Sequence, residues 1–179
     1  VSPDTIVLHY TAGTNALSTA YYLTRPDVAA SAHLVIDRNG DIIQLVPFNV
    51  EAWHAGKSFH LGRVNLNHYS IGIELDNLGK LRREGDKFIA ECGKEVPASE
   101  VFVDEQEDQP TYWHRYPETQ LRSATSCATR TSHPARSIPV RHSRKKYWKC
   151  RMGKGSSCSG ITCNLFTCNS PKAIPHSKL

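Results

Sequence analysis

The chain has 179 residues, the length of one domain, and 39% hydrophobic residues with three Trp, seven Tyr and five Phe are enough for a core, which excludes wholesale disorder. No run of 18 apolar residues exists and the opening Val1-Ser-Pro-Asp is polar, so neither a membrane span nor a signal peptide is expected. The net charge of +5 hides a division: residues 1–122 carry 11 Lys+Arg against 17 Asp+Glu, and residues 123–179 carry 11 against none.

Thr5-Ile-Val-Leu-His-Tyr10 is a short apolar run closed by Thr-Ala-Gly13, which predicts a buried strand delivering His9 to its carboxyl end. From Asn15 to Thr24 the positions Ala16, Leu17, Ala20, Tyr21 and Leu23 keep helical spacing until Pro26. Residues 32–37 and 41–46 flank Arg38-Asn39-Gly40, and Asn-Gly predicts a β-hairpin because both residues accept positive φ. Ser70-Ile-Gly-Ile-Glu-Leu75 predicts another strand, with Glu74 on the face opposite Ile71, Ile73 and Leu75. The charged, glycine-bearing stretch 78–112 predicts an irregular excursion, and a helix is expected to begin near Tyr116-Pro-Glu-Thr-Gln-Leu121.

The last 57 residues hold five of the six cysteines and no acidic residue. They divide the chain into a domain over 1–122 and a basic, Ser/Cys-rich tail over 123–179, too poor in apolar side chains to be expected to order. A basic tail usually binds nucleic acid or another polyanion, but Tyr147, Trp148 and Phe166 are too few for a stacking platform, so no nucleic-acid partner is expected. Cys158, Cys163 and Cys168 form no C-x-x-C pair and match no common zinc module. The break after Arg122 is also what a slipped reading frame produces: some codon choices for Val140–Trp148, read one base later, spell x-D-I-A-V-R-N-T-G.

Three motifs in order carry a resemblance: Val7-Leu-His-Tyr-Thr-Ala-Gly13, the stretch from Ser31 through Trp53-His-Ala-Gly56, and Asn67-His-Tyr-Ser-Ile-Gly-Ile-Glu-Leu75. Together they closely resemble the zinc-dependent N-acetylmuramoyl-L-alanine amidases of the type 2 family, which also includes phage amidases and peptidoglycan recognition proteins. The resemblance implies an α+β fold, with a mixed central sheet flanked by helices, and one Zn²⁺ in a surface groove. The implied reaction is hydrolysis of the amide between the lactyl group of N-acetylmuramic acid and L-alanine, in peptidoglycan or muropeptides. By the same carry-over His9 is the first metal ligand and Glu74 the catalytic carboxylate; Ala32 stands where phage members place a Tyr, which puts the chain with the Glu-using branch. Tyr10, His33, Trp53 and His54 lie in segments that line the family's groove and are expected to contact substrate.

The family takes its other two ligands from a terminal segment such as G-H-S-D-I-A-P-G-R-K-x-D-P-G, or from a His followed eight residues later by Cys. No acidic residue follows Glu118, so the Asp version is excluded, but His142 and Cys150 are eight apart and stand as the remaining pair. Trp148 replaces the lysine expected two residues before that Cys, with Lys146 and Lys149 beside it. The reading from sequence is therefore a zinc amidase built on His9, His142, Cys150 and Glu74, expected to be monomeric and to work in the bacterial cytoplasm, in wall recycling, or at the cell envelope. The alternative is a non-catalytic peptidoglycan-binding module that has lost zinc ligands.

Overall fold

The computed structural model describes residues 3–105 and 109–130. Of the tail expected over 123–179, residues 123–130 are described and lie in a helix; the rest of it, with the pair His142 and Cys150, falls outside the described residues.

In the central sheet β1 (Thr5–Tyr10) runs parallel to β6 (Ser70–Leu75), β6 parallel to β2 (Leu34–Ile36), and β2 antiparallel to β3 (Ile42–Gln44), in the order β1-β6-β2-β3. A mixed sheet of this kind, with helices on its faces, is the α+β architecture expected from the sequence. Its three parallel members are nearly continuous in Val, Ile and Leu because both faces are covered. Helix α1 (Ala16–Leu23) starts where Asn15 Oδ1 accepts the Ser18 N–H at 3.0 Å. It lays Ala16 and Ala20 on Val35, with Leu23, Ile43 and Leu45 at the edge. Helix α2 (Glu118–Arg130) covers the other face, packing Ala124, Cys127 and Ala128 on Ile6, Leu8, Leu34, Ile36, Ile71, Ile73 and Leu75. It runs without interruption across the composition break at Arg122 and Ser123.

The hairpin forms, but by a different turn from the one expected. Only Gly40 takes positive φ, at +95°, while Asn39 does not, so Arg38-Asn39-Gly40 is a three-residue loop in which the glycine supplies the left-handed residue. Its ends close through Asp37 N–H to Asp41 O and Gly40 N–H to Asp37 O, each at 2.9 Å. The turn also seats α2: Thr119 Oγ1 donates to Arg38 O at 2.9 Å and Ser123 Oγ to Gly40 O at 2.7 Å.

Residues 78–112 are not irregular. They carry most of a second, antiparallel sheet of β7 (Lys80–Glu84), β8 (Lys87–Ala90), β9 (Glu95–Val96), β10 (Val101–Asp104) and β11 (Thr111–His114), ordered β10-β11-β7-β8-β9. Its apolar side is small, with Leu78, Leu81, Ala90, Val96 and Val101 backed by Phe88 and Tyr112, so the charged outer face dominates the sequence and conceals the alternation. His114 joins this sheet to the first: its Nδ1 accepts the Leu78 N–H, its Nε2 faces Glu100, and Arg38 of the hairpin donates to Glu100 at 2.9 Å. A small hairpin of β4 (Phe59–His60) and β5 (Arg63–Val64) precedes β6.

Gln120, 0% exposed, donates from Nε2 to Ile36 O at 2.9 Å and Asp76 O at 3.0 Å, tying α2 to the carboxyl ends of β2 and β6. Gln120→Ala removes both bonds and leaves a cavity, and is expected to cost about 2–4 kcal/mol in denaturant unfolding. A loss below about 0.5 kcal/mol would contradict this role for the side chain.

Candidate functional site

Strand register builds the centre of the site. His9 lies opposite Glu74 on the neighbouring parallel strand, and Glu74 opposite Val35. Because Ile6, Leu8, Ile71, Ile73 and Leu75 all turn toward α2, alternation sends His9, Gly72 and Glu74 to the other face, at the carboxyl ends of parallel strands where α/β sheets bind ligands.

Glu74 is half-buried, but its Oε2 is shut off from solvent and has no hydrogen-bond partner. Burial pushes its carboxyl up to about 7. A carboxyl placed there exchanges a proton near neutral pH, which a solvated strand glutamate does not do. His9 is held neutral, with its imidazole brought down to about 4 by burial. A neutral imidazole is the form that binds a metal.

The loop carrying Trp53-His54-Ala55 is laid across this face. Asn67 Oδ1 accepts the N–H groups of His54 at 3.1 Å and Ala55 at 2.8 Å, fixing the backbone on which His54 stands. The His54 ring lies on Gly72, where any Cβ would fall within the van der Waals shell of the ring, so the glycine of Ser70-Ile-Gly72 makes room for the imidazole. His54 Nδ1 meets His9 Nε2 at 3.0 Å and His54 Nε2 meets Ser70 Oγ at 3.2 Å. Its pKa is pulled well down by burial, then by His9 and His33 nearby, against a backbone hydrogen bond to Ser70 that raises it.

Two of the residues expected to contact substrate make contacts within the fold. Tyr10 falls by alternation on the Leu8 side of β1, away from His9, with its ring over Gly79 and edge-on to Trp113. His33, 0% exposed, accepts the Gly72 N–H at Nδ1 and meets Val50 O at Nε2 at 2.9 Å, which leaves no ring nitrogen for a ligand. Trp53, in contrast, is 66% exposed beside His54 and offers an open aromatic face. Sequence reasoning passed over Ser70, Gly72 and Asn67, whose signal is that polar or small residues interrupt an otherwise apolar buried stretch. It also passed over Tyr116, a half-buried residue whose phenol pKa is raised by desolvation and by the proximity of Tyr10 and Glu74.

His9 fits one position of a zinc donor set, and the unpartnered Glu74 oxygen fits a proton acceptor on the same face. Among the described residues no three His, Cys, Asp or Glu side chains are arranged to hold a metal ion, so these residues alone do not complete a zinc site. No helix among them is long and apolar enough to cross a membrane.

The family model for N-acetylmuramoyl-L-alanine amidase matches residues 1–154. The chain is 53% identical over 51 residues to the 1,6-anhydro-N-acetylmuramyl-L-alanine amidase AmpD of Escherichia coli, a segment covering 28% of each protein. It is 33% identical over 141 residues to the N-acetylmuramoyl-L-alanine amidase AmiD of the same organism, covering 75% of this chain and 49% of the relative. It superposes with a TM-score of 0.50 and 27% identity on AmiD from E. coli in complex with the substrate anhydro-N-acetylmuramic acid-L-Ala-D-γ-Glu-L-Lys, over 71% of this chain and 42% of that one. The chain thus spans less than half the length of these relatives.

Proposed function

This chain belongs to the N-acetylmuramoyl-L-alanine amidase family, and from that premise we propose that it hydrolyses the amide joining the lactyl group of N-acetylmuramic acid to L-alanine in peptidoglycan or muropeptides. The observation that carries the reading is His9, buried and neutral, paired in register with a Glu74 carboxyl that has an unpartnered oxygen and a pKa near 7. Enzymes of the family are generally zinc-dependent. Bound zinc polarises a water and the scissile carbonyl, bringing the water's pKa close to 7. His9 is one ligand in this proposal, and His142 and Cys150 are the other two.

The chain's own groups then divide the work. Glu74 Oε2 takes a proton from the attacking water and returns it to the alanine nitrogen as the C–N bond breaks, leaving a lactyl carboxylate and a free amine. Trp53 supplies an open aromatic face against which a sugar ring can pack. The burial of Glu74 holds its carboxyl pKa near 7, where one group can both take and return a proton.

If His142 and Cys150 complete the site, the purified chain retains about one zinc and loses it on either His142→Ala or Cys150→Ala, as read by elemental analysis. Zinc surviving both substitutions would contradict this donor set. One second reading, a module that binds muropeptide without cutting it, is favoured by Trp148 standing where the family's lysine is expected. That reading predicts substrate binding by a chain purified without zinc.

A further inference from the structure

Three imidazoles stand in a row on the site face of the sheet, with centroids of His9 and His54 5.2 Å apart and those of His54 and His33 6.0 Å apart. His33 is outside the line of proton sharing: its Nδ1 accepts the Gly72 N–H, so its proton is on Nε2, facing Val50 O. The other two are joined to a fixed point in the backbone. Ser70 Oγ donates to Leu66 O at 2.7 Å, and a carbonyl oxygen can only accept. The single Ser70 hydroxyl proton is therefore spent, and at 3.2 Å Ser70 Oγ acts as acceptor for His54 Nε2–H. A neutral His54 has one ring proton, so its Nδ1 is a lone pair, and it faces His9 Nε2 at 3.0 Å. That contact requires the His9 proton on Nε2. The His9 Nδ1 is left as a lone pair that no described residue bonds.

We propose that Ser70 and His54 are positioning residues which relay the acceptor character of the Leu66 carbonyl to His9, fixing it as the Nε2–H tautomer and offering Nδ1 to the metal. Metal-binding histidines generally have their second nitrogen engaged in this way, and loss of the supporting partner weakens metal binding by about 10–100-fold. Asn67 and Gly72 serve the same end, the first by gripping the backbone of His54 and the second by letting its ring lie on the strand. The role assigned to Nδ1 rests on the amidase reading, whereas the tautomer does not.

The test is the ¹⁵N spectrum of histidine rings in the labelled full-length chain, recorded as purified and again after chelation. His9 is expected to show a protonated Nε2 and an unprotonated Nδ1 in both. Ser70→Ala removes the hydroxyl that links His54 Nε2 to the Leu66 carbonyl and leaves only the Ser70 backbone beside it, so His9 is expected to become a mixture of tautomers and zinc affinity to fall about 10–100-fold. Ser70→Thr, which keeps the hydroxyl, is expected to restore both. A wild-type His9 protonated on Nδ1, or a His9 spectrum unchanged by Ser70→Ala, overturns the proposal; should Ser70→Ala fail to fold, the wild-type spectrum alone decides. The predicted tautomer in a chain that neither holds zinc nor cleaves would sustain this inference and remove the amidase reading. Cleavage by a zinc-loaded chain with His9 protonated on Nδ1 would do the reverse.

Discussion

Glu74→Gln is expected to lower amide cleavage by about 10²–10⁴-fold with zinc content unchanged, because glutamine keeps the shape and hydrogen-bonding capacity of the side chain but cannot take a proton. The same substitution has a signature in stability. The Glu74 carboxyl is raised from 4.5 to about 7 in the folded chain by burial. Below pH 4.5 it is neutral whether folded or not, so glutamine brings no advantage there. Between pH 4.5 and about 7 the unfolded chain gives up this proton while the folded chain keeps it, so stability falls across that window by something on the order of 3 kcal/mol and levels off above it. Chelated Glu74→Gln should therefore melt with wild type at pH 4 and well above it at pH 8. Wild-type-like cleavage, or a melting difference that does not grow with pH, would return Glu74 to the role of an ordinary strand residue.

His9→Ala is expected to abolish zinc binding and cleavage together, a loss of at least about 10⁴-fold, since it removes a metal ligand and with it the activation of water. The contrast with Glu74→Gln is the informative part: one variant loses the metal and the other keeps it. Elemental analysis beside the cleavage assay separates them, and unchanged far-ultraviolet circular dichroism excludes unfolding as the cause. Full zinc occupancy in His9→Ala would remove His9 from the donor set.

What the sequence made legible follows from how each element is held. β1, β2 and β6 are covered on both faces, so their apolar runs are nearly unbroken, and the imidazole of His9 and the carboxyl of Glu74 stand out within them. The second sheet was hidden for the opposite reason: Lys80-Leu-Arg-Arg-Glu84 buries only Leu81, and glycines at 85 and 93 look like loop punctuation when they are in fact tight turns with φ of +59° and +85°.

Within the site, the reading of sequence reached His9, Glu74 and His54 and passed over Ser70, Gly72 and Asn67, which pack against or hold the His54 loop. His54 and Ser70 are 16 positions apart, and nothing in their spacing tells that a loop folds one onto the strand of the other. Gly72 gave a partial clue, since a glycine inside a buried strand marks the close approach of another group. Tyr10, next to His9 in sequence, lies on the opposite side of the strand, where period-two alternation sends every neighbour. His33 is a polar residue in an apolar segment, as a ligand would be, yet both its nitrogens serve the backbone.

The central claim is that this chain cuts the bond between the lactyl group and L-alanine. The most direct measurement is mass spectrometry of an N-acetylmuramoyl-L-alanyl peptide incubated with the zinc-loaded full-length chain. The account predicts addition of one water across that bond alone, giving a peptide with a free L-alanine amine and a muramic acid with a new carboxylate. An intact substrate that nevertheless binds to a chain carrying stoichiometric zinc would contradict it.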